Sequence, residues 1–460
     1  METNEIEIKK PSPTVLILRL GSAAAAAFIF VMYVLKHAAE YKPVHFILPF
    51  VSLALFTAIL LISMPKLVAI FSGKADAGTG EKADRRKLFQ IMLAALGVHL
   101  FTMILGVLIC SSLNPSLDAK TLWNYAWMKQ NTDAGHYLSI AENWYVREGD
   151  NRLLIVFFPM LPVLIKAFNL VFHNSFVSAQ VINAIATVGA SGMTYLTLTD
   201  VLGERRSRAA AFIAILLPGA IFMNSPMSEP LFLLFTISAF YFMQKKRFLL
   251  SGIFVALSGF TRSLGVISAV PLALVGLNEL IALIKAKKNW GKTLALLLLG
   301  LAVSTFGTLG YLFINYSIHG DPFKFLEYQW SNWYQRSCPF FDTPRYVFSY
   351  AVSAFKSGDS TFRALWLPQL IAIFGSLVLM IRASRKLPAS YTVYFLCYYA
   401  VSIGCTWLLS SVRYLSAAVP LIAAFGLICD KKWKTAIVFV LLAAVYVIYT
   451  IMYMKGFGVY

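Results

Sequence analysis

Near its end the chain reads Thr435–Tyr453, TAIVFVLLAAVYVIYTIMY, nineteen residues without a charge. About 20 apolar residues are needed for a helix to cross the hydrocarbon of a bilayer, so this stretch is long enough to span. Thr14–Lys36 is similar at the other end, and by the same yardstick about thirteen such runs fill most of the chain. Composition agrees: 59% of the 460 residues are hydrophobic and 15% aromatic, against roughly 45–50% apolar in a soluble domain. Mean hydropathy is +0.70. A soluble protein is excluded. The first run is too long for a removable signal peptide and lacks a small-residue cleavage site before a polar region, so it reads as a retained helix.

Only 13% of residues are charged, yet 40 Lys and Arg face 21 Asp and Glu, a net charge of +19. Where the cations sit decides their meaning. They concentrate in six short loops: Lys82, Arg85, Arg86 and Lys87; Arg205, Arg206 and Arg208; Lys245, Lys246 and Arg247; Lys285, Lys287 and Lys288; Arg382, Arg385 and Lys386; Lys431, Lys432 and Lys434. Short cationic loops stay on the cytoplasmic side. Most of the charge therefore reports topology, and no nucleic-acid partner is expected. Of the five cysteines, only Cys338 lies in a long polar segment, and no disulfide or metal spacing is present.

Two longer segments are placed outside: Ser112–Arg152, which mixes acids with few bases, and Ser317–Arg363, which mixes acids with similar numbers of cations. From Trp290 onward the alternation of crossings and basic loops is clean. It fails earlier: with Phe157–Phe172 and Phe176–Leu198 both as full crossings, Arg205 falls on the wrong side. Something there is short, re-entrant or broken. Phe248–Arg262 and Leu264–Ile284 read likewise as two short spans meeting near Thr261-Arg262-Ser263. Irregular backbone at membrane depth needs cover from protein or a water-filled cavity, which makes both places candidates for a site. No internal repeat is visible, which disfavours an inverted-repeat transporter.

In the first outer segment Tyr137, Leu138, Ile140, Ala141, Trp144 and Tyr145 fall mostly on one helical face, and His136, Ser139, Asn143 and Arg147 on the other. That pattern predicts a helix lying in the membrane surface, with Asp133 at its start. Asp133 reads first as an N-cap, and His136 alone reads as a surface histidine before a ligand.

Six phrases then follow in order: Asp133-Ala134-Gly135-His136-Tyr137-Leu138-Ser139, Phe157-Phe158-Pro159-Met160-Leu161-Pro162, Asn224-Ser225-Pro226-Met227-Ser228-Glu229-Pro230, Thr261-Arg262-Ser263-Leu264-Gly265, His319-Gly320-Asp321-Pro322 with Gln329-Trp330, and Ser411-Val412-Arg413-Tyr414-Leu415. Their order over about Trp123–Pro420 resembles the GPI mannosyltransferase 2 (phosphatidylinositol-glycan class V) family and its bacterial homologues, which are C-type integral-membrane glycosyltransferases. The family usually has Trp before the first Asp, where Thr132 stands here, and Asn where Leu264 stands.

The resemblance implies an all-α, polytopic transmembrane protein of the C-type glycosyltransferase fold, with an outer-face loop carrying interfacial amphipathic helices. Residues 1–87 would be two added N-terminal transmembrane helices and a cytoplasmic loop. Residues 88–460 would be the core, with outer loops at about 112–153 and 317–364. It implies transfer of a sugar, typically mannose, from a polyprenyl-phosphate-sugar donor to an acceptor hydroxyl on the extracytoplasmic face of the cell membrane. Such chemistry needs a base for the hydroxyl proton and cations for the departing phosphate.

Asp133 is the expected base, acting with inversion, and Glu229 a second site carboxylate. Arg262 and Arg413 are expected on the donor phosphate, where a guanidinium fork suits the ligand, against a plain reading as snorkelling anchors. The expected substrate-binding set is His136, Asp321, Gln329, Trp330 and Tyr414, although Gly320-Asp321-Pro322 is by itself a turn signature. Phe323, Phe325, Tyr328, Trp330, Trp333 and Tyr334 form an aromatic-rich segment that stacks on sugars or belongs to the interfacial belt. No cofactor is assigned, and a divalent cation stays open because Asp133, His136 and Glu229 could meet or lie apart. The acceptor stays open among glycolipid, glycan and protein. The competing readings are a lipid flippase or transporter and a ligase that moves a whole lipid-linked glycan.

Overall fold

The computed structural model describes residues 12–74, 78–128 and 132–460. With no water in the bilayer core to satisfy backbone groups, apolar segments close their hydrogen bonds within helices, and among the described residues the only strand-like feature is one bridge between Ser337 and Cys405. The first half holds α1 (Pro13–His37), α2 (Ile47–Ile70), α3 (Arg85–Leu113), α4 (Ala119–Trp127), α5 (Ala134–Asn143), α6 (Met160–Phe172), α7 (Ser175–Leu202), α8 (Glu204–Leu216), α9 (Glu229–Gln244) and α10 (Phe248–Thr261). The second half holds α11 (Ala269–Lys285), α12 (Gly291–Ser304), α13 (Phe306–His319), α14 (Lys324–Trp333), α15 (Thr343–Ser357), α16 (Leu367–Ala383), α17 (Ala389–Ile403), α18 (Ser411–Ser416), α19 (Val419–Ile428) and α20 (Lys432–Met454).

Among the described residues, eight helices are long and apolar enough to cross a membrane, or up to ten if each bent pair counts as one. This is fewer than the apolar runs suggest, because α9, α10, α17 and α19 are only 10–16 residues long. The failure of alternation has its cause in two bends. The turn Asp150–Val156 meets α6 at 109°, and α8 meets the turn Pro218–Asn224 at 68°. At 13 residues α6 is about 20 Å long, too short to cross alone, so Arg205 returns to the side its charge demands.

The six cationic loops converge on one end of the bundle. Lys285 Nζ donates to Ser72 O (2.9 Å) and the Gly80 amide to Asp200 Oδ1 (3.1 Å). Lys87 pairs with Glu204 at 2.6 Å, and Lys246 with Glu279 at 2.6 Å. Lys66 Nζ reaches Leu387 O (2.9 Å) and Gln244 Nε2 reaches the Tyr391 hydroxyl (2.7 Å). Lys434, helped by Arg206, holds the Asp430 carboxyl below the usual carboxylate range.

From this end α9 and α10 carry the chain to the other. α9 ends beside Lys245 and begins at Glu229, and α10 begins after Arg247 and ends before Arg262. Their 16 and 14 residues correspond to about 24 Å and about 21 Å, so Glu229 and Arg262 lie most of a bilayer away from the basic loops. The break at Arg262 is extended (φ −156°, ψ 148°), after which the turn Ser263–Ser268 leads into α11.

That turn folds back so tightly that a Cβ on Gly265 would lie 2.2 Å from the Ser258 carbonyl carbon and 2.3 Å from the Gly259 nitrogen. Both neighbours are backbone and cannot yield cheaply. Gly265→Ala is therefore expected to displace Arg262 and lower the detergent-phase melting temperature. A variant with wild-type melting and turnover would show that the turn is not held this closely.

α5 forms at the predicted place, and its apolar residues Ala134, Tyr137, Leu138, Ile140 and Ala141 are buried against α6 and α7. The face that the sequence offered to lipid is covered by protein. α1 keeps most of its surface exposed and is tied down by the Tyr33 hydroxyl, which donates to Asp342 Oδ1 at 2.5 Å.

Candidate active site

Asp133 stands at the head of α5, yet its side chain makes no capping bond. Instead Oδ2 lies 2.8 Å from Arg413 Nη1. The N-cap reading therefore fails, and the carboxylate faces a guanidinium contributed from 280 residues away.

Arg413 comes from α18, a short helix that Gly219 lets in close. A Cβ on Gly219 would meet Val412 O at 2.7 Å and Arg413 Cα at 2.8 Å. The Arg413 guanidinium lies 5.5 Å from the ring centres of both Phe222 and Tyr414. Its Nε is 3.1 Å from Glu229 Oε1, but not aligned with it as a hydrogen bond.

Glu229 is the first residue of α9, where Pro226 and Pro230 set the helix start and the helix dipole favours a negative charge. Its Oε1 also pairs with Arg262 Nη1. Arg262 Nη1 donates to Ser228 Oγ at 3.3 Å, and that hydroxyl meets the Tyr137 hydroxyl at 2.9 Å. Tyr414 lies under Arg262 too, at 5.1 Å. Two carboxylates and two guanidiniums thus form one balanced cluster at four helix termini.

The cluster has a direction. Exposure falls from 29% for the Asp133 side chain through 15% for Arg262 and 8% for Arg413 to 4% for Glu229. Asp133 is at the mouth and Glu229 at the floor, where it fixes both guanidiniums. Buried charges persist only when paired, which explains why Glu229 serves two cations at once. Arg413 holds one oxygen of each carboxylate, Asp133 Oδ2 and Glu229 Oε1, while Glu229 Oε2 has no hydrogen-bond partner among the described residues. Among the described residues no group of three or more His, Cys, Asp and Glu could hold a metal.

Of the other expected residues, Tyr414 is in the cluster and His136 is beside it. The His136 ring packs on Phe157 at 4.9 Å, and burial pushes its imidazole below the ordinary range, with Asp133 opposing. Phe157 also meets Trp333 edge-on at 5.9 Å, so one ring of the aromatic segment reaches the rim. Asp321 is spent on a turn, accepting from the Phe323 amide at 2.8 Å beside Gly320 (φ +74°). Gln329 donates to Gln335 (2.8 Å), and Trp330 lies 3.3 Å under the Arg336 guanidinium. Both engage the segment just after α14 instead of the charged cluster.

Sequence reading missed the supports: Ser228, Tyr137, Phe222 and the anchorage of the Asn224-Ser225 break to α20. There Asn224 Nδ2 donates to the Tyr446 hydroxyl (3.2 Å), Ser225 Oγ meets the Tyr453 hydroxyl (3.0 Å), and Asn183 donates to Ser225 O. The spacing of Tyr446, Tyr449 and Tyr453 along one face of α20 was the available signal.

No curated protein sequence matches the chain. Among solved structures, it is similar to ArnT from Cupriavidus metallidurans bound to undecaprenyl phosphate, with TM-score 0.46 and 12% identity over 80% of this chain and 75% of that one. It is also similar to an Archaeoglobus fulgidus oligosaccharyltransferase tethered to an acceptor peptide, with TM-score 0.41 and 13% identity over 79% of this chain and 55% of that one. The chain thus spans about half the length of the archaeal protein. The sequence family described as Mannosyltransferase (PIG-V) matches residues 86–318, just over half of the 460 residues, including Asp133, Glu229 and Arg262. The chain belongs to the PIG-V mannosyltransferase family.

Proposed function

We propose that this multi-pass membrane glycosyltransferase moves mannose from a polyprenyl-phosphate-mannose donor to an acceptor hydroxyl on the extracytoplasmic face, with inversion and with Asp133 as the base. The observation that carries the reading is the Asp133 to Arg413 pair at the open mouth of an otherwise buried charge cluster. The acceptor oxygen bonds to the anomeric carbon as its proton passes to Asp133. The bond from that carbon to the phosphate oxygen breaks, and the phosphate leaves with the electron pair. Attack from the side opposite the leaving group inverts the centre.

Arg413 and Arg262 are placed to take the phosphate charge. A guanidinium has five donors, and Glu229 with Asp133 occupies only some of them. A phosphate arriving at Arg413 competes with Asp133 for Nη1 and turns the carboxylate toward the acceptor. The lipid has a path as well. A cavity of about 520 Å3 is lined by Ile371, Val412, Leu415, Phe425, Leu441 and Ile448 among others. Val412 and Leu415 flank Arg413 on α18, so a prenyl chain in this groove brings its phosphate to that helix. The position of the cluster at the end of the bundle opposite the basic loops supports this face, because short cationic loops favour the cytoplasmic side.

Arg413→Ala is expected to raise the donor KM by at least tenfold, and Arg413→Lys by less, because an ammonium keeps the charge and loses the fork. Equal, small effects from both would leave Arg413 a helix anchor. The function itself is tested by reconstituting the protein in liposomes with labelled polyprenyl-phosphate-mannose and glycolipids extracted from the source membranes. Label appearing in the glycolipid fraction supports transfer. Donor scrambling between leaflets without transfer contradicts it and favours a flippase.

A further inference from the structure

Arg413 sits on a helix of only six residues. So short a helix does not hold its own place, because nucleation costs more than its few bonds return. The chain on either side must fix α18. Gln369 Oε1 accepts from the Ser411 amide at 3.4 Å and from the Ser411 hydroxyl at 3.0 Å, and Ser416 Oγ accepts from the Gly219 amide at 3.1 Å. Upstream, residues 404–410 join α17 to α18 without helix. That strap is hung on the segment just after α14.

The Thr406 amide donates to Arg336 O at 2.9 Å and the Cys338 amide to Gly404 O at 3.0 Å, on either side of the Ser337 to Cys405 bridge. The Arg336 amide donates to Thr406 Oγ1 at 2.8 Å, and that hydroxyl donates to Tyr334 O at 2.9 Å. Gln335 makes the longest reach. Its Oε1 accepts from Gln329 Nε2 at 2.8 Å, and its Nε2 donates to Trp407 O at 3.2 Å, so one amide ties α14 to the strap. Tyr334 and Trp407 both have left-handed backbone, with φ +55° and +56°. Residues with a Cβ keep that conformation only where their surroundings over-determine it, and here each carbonyl is gripped from across the join.

The same α14 reaches the other half of the ion pair. Trp333 at its end meets Phe157, and Phe157 packs on His136 and Tyr137 of α5 at 4.9 and 5.5 Å. Asp133 stands at the head of that helix. α14 is therefore the common neighbour of the Asp133 helix and the Arg413 strap, and the 2.8 Å between carboxylate and guanidinium is spanned by it.

We propose that Gln335 is a positioning residue for Arg413: it holds the strap where the guanidinium meets the departing phosphate, with Gln329 and the Arg336 stacked on Trp330 as its supports. The inference rests on the proposed role of Arg413 and goes beyond it. Gln329 and Trp330, which sequence order grouped with the substrate, act on the donor through the strap without touching it.

The test uses the full chain in liposomes with labelled polyprenyl-phosphate-mannose. Gln335→Met removes both polar ends at similar length, and Gln335→Glu keeps the acceptor for Gln329 while setting an oxygen against Trp407 O. Each is expected to raise the donor KM about three- to tenfold, within the range of coupled neighbours, with the acceptor KM and the detergent melting temperature near wild type. Gln329→Leu breaks only the first link and gives a smaller rise.

The deciding readout is a double-mutant cycle with Arg413→Lys. If Gln335 acts through Arg413, adding Gln335→Met to Arg413→Lys changes the donor KM by less than about twofold. Where Gln335→Met does not insert, Gln329→Leu enters the same cycle. Effects that multiply in full, or single variants with wild-type donor KM, overturn the assignment. So does a shared fall in melting without coupling to Arg413, which would make the strap a support of the fold alone. Equal, small effects of Arg413→Ala and Arg413→Lys fail the proposed role of Arg413 instead, so the two failures are distinguishable.

Discussion

Asp133→Asn is expected to cut transfer by about 10²- to 10⁴-fold, the usual worth of a positioned proton acceptor, while the protein inserts and melts as before. The substitution keeps the shape of the side chain and one oxygen for Arg413, and at 29% exposure water replaces what the lost charge supplied. A cap would behave otherwise. Asn is as good an N-cap as Asp, so a capping role predicts unchanged turnover. Asp133→Glu, which keeps the carboxylate but moves it, is expected to retain more activity than Asp133→Asn. Initial rates with labelled donor, beside melting curves of each variant in detergent, separate these outcomes.

Glu229→Ala is expected to act on the fold itself. Its carboxylate is shared between Arg262 and Arg413, and it is nearly inaccessible. Removing one partner of a buried ion pair costs about 3–5 kcal/mol, because the surviving charges stay buried, and here two guanidiniums would also repel each other. A helix-dipole contribution alone would be only about 0.3–1 kcal/mol. Against a total stability of about 5–15 kcal/mol, the larger figure means a steep fall in melting temperature and in membrane yield. A drop of only a degree or two would show that Glu229 is a first-turn acid and that the guanidiniums hold themselves. Loss of turnover follows in either case where Arg413 shifts, so melting, not activity, is the deciding readout.

Bilayer thickness and cation retention made the membrane architecture readable in the sequence. The runs at Thr14–Lys36 and Thr435–Tyr453 became α1 and α20, and all six basic loops met at one end. The alternation rule also exposed its own failure between residues 155 and 230, and the bent segments there are the cause. Counting was harder. α9, α10, α17 and α19 are apolar enough to pass for spans, but their ends are fixed by partners distant in sequence, which hydropathy cannot see.

The members of the charge cluster, though not their pairing with one another, were legible for a physical reason. Arg262, Arg413 and Glu229 interrupt apolar surroundings, where an ionised group survives only with partners, so each required some partner. Asp321, Gln329 and Trp330 had no such requirement. They lie in a watered loop where turns and cation–π contacts use the same residue types, and sequence order alone grouped them with the site. The supports Ser228 and Gly219 gave no signal because a small residue at a close approach looks like any other, and Tyr137 read as one more position on the apolar face of α5. The amphipathic pattern suggested a lipid-facing helix at α5, but its apolar face went to α6 and α7.

The proposed function requires Asp133 to lie on the side of the membrane away from the basic loops. Replacing exposed Glu142 on α5 by Cys, and exposed Lys82 by Cys in a second variant, allows each side to be labelled in intact cells with a membrane-impermeant maleimide, scored against the parent protein. Labelling at position 142 in intact cells, and at position 82 only after permeabilisation, is the predicted result. The reverse pattern would put the cluster on the cytoplasmic side and overturn the proposed function.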